Sequence, residues 1–132
     1  MASLSLNIVL CSGEHEKIQM AAMMASIAAV SDRPVRVFVS MNALFAFDGE
    51  LTAGERYSGG AFSELLLRKK APDAIDLLRQ GKMLGEMKIH VCSMAMDVTG
   101  WEMDRLVPDL IDGPLGLTKF LSDAEDGQLI TL

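Results

Sequence analysis

Two short runs, residues 4–11 and 35–39, are almost continuously apolar and rich in Leu, Ile and Val, with a long helix-patterned stretch between them. A strand that alternates apolar and polar residues belongs to a sheet wet on one side. An unbroken apolar strand belongs to a sheet covered on both faces, which is the parallel arrangement. Ser12-Gly13-Glu14 turns the first run into a helix reaching about Val30, and Ser31-Asp32-Arg33-Pro34 breaks that helix before the β-branched second run. Strand, helix and strand in succession make a βαβ unit, whose crossover is right-handed almost without exception.

The rest of the chain continues the alternation. Residues 40–60 have no clean periodicity, and a loop of that length in a compact domain is a lid, a binding loop or a contact arm. Residues 62–68 read as a helix. Pro72 stands where a first-turn proline belongs, which predicts a helix over 73–83 with Ile75, Leu78 and Met83 inward. A strand over 86–91 follows, closed by Cys92, and Ser-Met-Ala-Met-Asp after it reads as the first turn of a helix. Thr99-Gly100-Trp101-Glu102 has capping-box spacing and predicts a short helix over 100–106. A brief strand at 110–111, a helix over 115–121 and a strand over 128–131 complete the pattern.

The expected fold is therefore a single α/β domain over 1–132. It has an open five-stranded parallel sheet, helices on both faces and the flavodoxin-like strand order 2-1-3-4-5. That order sets the first and third strands side by side. Cys11 and Cys92 then line one crevice at the carboxyl edge of the sheet, where ligands bind in such folds.

Composition narrows the function. A net charge of −6 argues against nucleic acid as the main partner, because phosphate neutralisation needs clustered Lys and Arg. The one basic run, Arg68-Lys69-Lys70, reads as a solvated helix end, with docking of an acidic partner as its functional counterpart. No apolar run approaches the ~20 residues that span a bilayer, and no basic stretch precedes the first apolar run, so no secretory leader is expected. A cytoplasmic protein with reduced thiols follows from these features. The ten methionines include Met20, Met23 and Met24 in the first helix and Met83, Met87, Met94 and Met96 around the Cys92 strand. Thioethers select Cu(I), but methionines far more often fill cores and interfaces, so neither a metal nor another cofactor is expected. The first helix is apolar over most of its circumference, and in a small chain the second apolar side is a subunit interface.

Chemistry concentrates on Cys92. A cysteine between a strand end and a helix start faces unpaired backbone N–H groups and the positive end of the helix dipole, an environment that favours thiolates. The plain alternative is a buried cysteine that packs as a small hydrophobe. Ser93 and Met94 to Met96 supply the turn whose N–H groups can hold an anion, and Met94 and Met96 with residues 41–47 form an apolar wall. His90, two residues before Cys92, shares its face of the strand about 7 Å away, either as a partner to the thiol or as a packing residue. His15 starts the first helix near the same crevice, as a rim contact or an ordinary exposed residue. Asp97 would cap a local N–H group. Cys11 is either a resolving thiol, if its Cα comes within ~7 Å of that of Cys92, or a buried strand-end residue.

Leu6-Asn7-Ile8-Val9-Leu10, Met41-Asn42-Ala43-Leu44-Phe45 and above all Val91-Cys92-Ser93-Met94-Ala95-Met96-Asp97-Val98-Thr99-Gly100 resemble the DsrE/DsrF-like sulfur-relay family. The last segment looks like the Ala-Cys-x-Met-Ser-Met-Asp-x-x-Gly signature of the DsrE branch labelled "peroxiredoxin-like", and the likeness continues through Ile111-Asp112-Gly113. Ala95 stands in place of the usual Ser, and Thr99-Gly100-Trp101 in place of Met-Gly-Ile. The resemblance implies a sulfurtransferase or sulfur carrier that holds sulfane sulfur on Cys92 as a persulfide or thiosulfonate. It also implies exchange with a TusA-like carrier, a rhodanese-like donor, and assembly as a homotrimer or hexamer. Two other readings stand beside it: a non-catalytic oligomeric binding module in which Cys92 packs, and a Cys11/Cys92 redox sensor. No Gly-x-Gly-x-x-Gly or P-loop spacing follows the first two strands, which weighs against a nucleotide as the module's ligand.

Overall fold

A computed structural model describes residues 4–132. Five strands, β1 (Leu6–Leu10), β2 (Val35–Val39), β3 (Met87–Cys92), β4 (Gly113–Leu115) and β5 (Gln128–Thr131), form one parallel sheet. The helices are α1 (His15–Val30), α2 (Ala53–Arg56), α3 (Ala61–Arg68), α4 (Ala74–Leu84), α5 (Ser93–Thr99) and α6 (Leu117–Asp123), with 3₁₀ turns at Met41–Phe47 and Met103–Arg105.

The α/β class with a parallel sheet is as the sequence predicts, but the strands run β4-β3-β2-β1-β5 rather than 2-1-3-4-5. β2, not β3, lies beside β1. Each crossover from β1 to β4 steps outward in the same direction, and only the last connection returns to pair β5 with the free side of β1. The direction of winding therefore reverses between β1 and β5. There the N–H groups of Cys11 and Ser12 both donate to the Leu132 carbonyl, so backbone closes that end.

Side-chain alternation divides the sheet into two unlike faces. Leu6, Ile8 and Leu10, Val35, Val37 and Val39, and Met87, Ile89 and Val91 are all buried on the face covered by α1 and α4. On the opposite face Asn7, Arg36 and Lys88 are aligned in register, followed by Val9, Phe38 and His90. Phe38 meets Phe120 of α6 with ring centroids 5.1 Å apart, and this contact pins the short helix down.

Several local expectations shift, each for a visible reason. Pro72 lies outside α4; Asp73 is the N-cap, its carboxylate accepting from the Asp76 N–H. Thr99 ends α5 instead of starting a helix, because its Oγ1 donates back to the Ala95 carbonyl and Gly100 closes the helix at φ 71°. The capping box lies at Thr52–Glu55, in front of α2. The brief strand falls at Gly113–Leu115 rather than 110–111, and α6 starts two residues later than expected. On α1, Ile18, Ala21, Ala22, Ala25, Ala28 and Ala29 are buried, while Met20, Met23, Ile27 and Val30 are exposed.

Phe120 is fully buried on the thinly covered face. Phe120→Ala should cost about 3–5 kcal/mol, the usual range for an aromatic core truncation. Urea unfolding should show a lower midpoint with an unchanged slope. A loss under 1 kcal/mol would mean that α6 does not anchor this face.

Candidate functional site

The register places Cys11, Ser40 and Cys92 level with one another, each one residue beyond the paired triplet Leu10, Val39 and Val91. Because β2 intervenes, the two cysteines are two strand spacings apart, about 10 Å. That exceeds the ~7 Å Cα limit for a disulfide, so the expected adjacency of the two thiols does not occur. Ser40, which is buried, stands between them. Cys11 is half-buried rather than fully buried.

Cys92 is the N-cap residue of α5, with extended backbone at φ −63° and ψ 121°, and is 6% exposed. It continues the face of β3 that carries His90, as the two-residue spacing requires. His90 Nδ1 lies 3.3 Å from the Gly113 carbonyl, so its ring is engaged with β4 rather than with the thiol. Ser93 is half-buried, Asp97 is exposed, and Met96 packs into the core.

A groove of about 260 Å³ opens beside this turn, between the 3₁₀ segment Met41–Phe47 and α5. Met41, Leu44, Phe45, Met94, Ala95 and Val98 give it an apolar lining, to which Asn42 and Thr99 add the polar atoms. Thus Met94 and the 41–45 segment come together as expected, while Met96 and both cysteine side chains lie outside the lining. Among the described residues no three His, Cys, Asp or Glu side chains converge to hold a metal.

The groove's far wall is braced by residues that sequence reasoning missed. Asp48 is buried, and Arg105 grips it with Nε at 2.8 Å from Oδ1 and Nη2 at 3.0 Å from Oδ2. The guanidinium of Arg105 also lies over the Trp101 ring, 4.5 Å from its centroid, and Trp101 meets Phe45 edge-on at 5.6 Å. Arg56 donates to the carbonyls of Ala46, Asp48 and Leu51, closing the loop behind. Asp48 and Arg105 are 57 positions apart, so no local pattern announces the pair. The Arg105 guanidinium holds the Asp48 carboxyl below the usual carboxylate range.

His15 is the largest departure. It is not an exposed rim residue but 2% exposed, stacked on Tyr57 and bonded to Ser63, on the side of α1 that faces α3.

No family model and no curated protein matches this sequence. Among solved structures, the chain is similar to MTH1491, a protein of unknown function from Methanobacterium thermoautotrophicum. The two share a TM-score of 0.63 at 10% identity, over 98% of this chain and 100% of that one. At that identity the likeness shows a shared fold.

Trp101 is the only tryptophan, so it reports on the brace directly. Arg105→Ala should shift its emission to longer wavelength and loosen the groove wall. Because the Asp48 carboxyl is depressed in the folded state, the contribution of the pair is complete above the ordinary carboxylate value and lost as pH falls through the lowered one. The emission of the parent protein should accordingly hold constant down to about pH 4 and shift only below it. A shift beginning near neutrality would contradict this assignment.

Proposed function

We propose that the protein is a sulfur carrier of the DsrE/DsrF-like type, a sulfurtransferase that takes up sulfane sulfur on Cys92. The observation that carries this reading is the position of Cys92 at the strand-to-helix turn, next to an apolar groove at the carboxyl edge of the sheet. Persulfide transfer needs a nucleophilic sulfur, shelter for the product and an approach for a partner's thiol. The turn after Cys92 supplies backbone N–H groups. Met94, Phe45 and Val98 offer a surface that excludes water and small reductants.

The chemistry balances without a cofactor. The Cys92 thiolate attacks the outer sulfur of a donor persulfide; the S–S bond of the donor breaks, its thiolate leaves, and Cys92 carries the persulfide. An acceptor thiolate then attacks the terminal sulfur and Cys92 is regenerated. By resemblance the acceptor is a TusA-like carrier and the donor a rhodanese-like enzyme, in the cytoplasm. No helix among the described residues is long and apolar enough to cross a membrane.

Homo-oligomers, with a trimer favoured over a hexamer, belong to the same proposal. Their support is the exposed Met20, Met23, Ile27 and Val30 stripe on α1. Ile27→Glu should abolish the oligomer in light scattering while leaving circular dichroism unchanged. A monomeric parent protein would contradict the assembly.

The burial of Cys92 favours a second reading, a non-catalytic module in which the groove holds an apolar ligand and Cys92 packs. The paired redox sensor finds no support in the two-strand separation of the cysteines. Intact mass spectrometry after incubation with polysulfide or thiosulfate separates the first two. The carrier predicts a gain of sulfur mass in the parent protein and in Cys11→Ser, and none in Cys92→Ser. No gain in any of the three, with Cys92 also resistant to alkylation, would leave the binding module.

A further inference from the structure

Helix α3 is fastened unlike the other helices. Its one buried side chain is polar, Ser63, while Phe62 and Leu67 are exposed. Two consecutive residues at the start of α1 hold it. The Glu16 carboxylate accepts from the N–H groups of Gly60 at 2.9 Å and Ser63 at 3.1 Å, and so caps α3 from another helix. The His15 ring lies flat against Tyr57, 4.1 Å between centroids and 9° from parallel, with Nδ1 2.7 Å from Ser63 Oγ. A β-carbon on Gly59 would displace the Glu16 carboxylate from this position and sit 2.9 Å from the Ser63 Cβ. Gly59-Gly60 stand immediately before α3, and Lys70, with φ 54°, stands just after it.

Between α3 and α1 lies a cavity of about 120 Å³, with His15 and Gln19 on one wall, Leu66, Leu67 and Lys70 on the other and Asp73 at its margin. We propose that α3 is an acid-released lid over this cavity, with His15 as its latch.

The charges around His15 set the sign. Glu16 from its own helix, Asp73 from the start of α4 and the Gln19 side chain favour the protonated ring. Burial opposes protonation and outweighs them, so His15 is lowered from its ordinary value. Tyr57, whose phenol is raised by burial, stays neutral against the ring, and the Lys70 ammonium lines the same cavity. Once α3 lifts, His15 meets water and titrates near 6.5.

The closed state therefore holds fewer protons than the open one between the two values. Closure is complete above the ordinary imidazole value and weakens as pH falls below it, by up to tenfold per pH unit while one proton separates the states. Glu16 is held low by hydrogen bonds from its own backbone N–H and from those of Ser63 and Gly60. It stays ionised through this window, so the response near neutrality belongs to His15.

Hydrogen exchange of the whole chain between about pH 7.5 and pH 5.5, corrected for intrinsic rates, tests the lid. The opening of residues 60–68 should rise several-fold to tenfold per pH unit relative to α4. His15→Phe keeps a flat ring against Tyr57 but takes no proton, and should abolish the slope. Glu16→Gln should raise opening at every pH and keep the slope. Exchange of α3 that parallels α4 throughout, or a slope that persists in His15→Phe, would overturn the proposal. Titration of His15 in the parent protein by NMR guards against a variant that fails to fold: a midpoint at or above the ordinary imidazole value would also overturn it.

Discussion

The close approach of α1 to its neighbours governs the layout of the molecule. Ala21, Ala22, Ala25, Ala28 and Ala29 present almost no bulk, so the helix lies tight on the sheet and on α4 at once. Its partners are equally small where they meet it. A β-carbon on Gly81 would sit 2.9 Å from the Ser26 Cα, and one on Gly85 would sit 2.2 Å from the Ala29 carbonyl oxygen. Such packing leaves no volume to relax into, so this face of the sheet is sealed and rigid. The carboxyl ends of β1, β2 and β3 are thereby held level, and with them Cys11, Ser40 and Cys92.

The molecule divides into two regions with different physics. Around Cys92 the surroundings are apolar and braced by one buried carboxylate, Asp48, whose charge is met by the bidentate Arg105. Around His15 the contacts are polar and reversible, and the element they hold, α3, buries no apolar side chain completely. Stiffness at one site and easy release at the other follow from those two kinds of contact.

Much of the fold was legible because period and composition are local. The nearly continuous apolar Leu6–Leu10 and Val35–Val39 runs, the alanine face of α1 and the strand leading into Cys92 all declare themselves within a few residues. Strand order is not local. Nothing in the sequence says whether β3 pairs with β1 or β2, and the choice of β2 moved Cys11 away from Cys92. The burial of His15 was hidden for the same reason, since its partners Tyr57 and Ser63 lie on a segment without periodicity. Thr99 misled because its hydroxyl serves the end of a helix as readily as the start of one. The Thr52–Glu55 capping box has the same spacing but lies in the stretch without clean periodicity, where the sequence reading did not find it.

The carrier account rests on sulfur residing at one particular residue. The most direct measurement is peptide mapping of the protein taken from cells and alkylated before lysis, resolving sulfane sulfur residue by residue. The account predicts that the peptide containing Cys92 carries an additional sulfur between its thiol and the alkyl group, released by reductant. Sulfur found on the Cys11 peptide alone, or on neither, would contradict it.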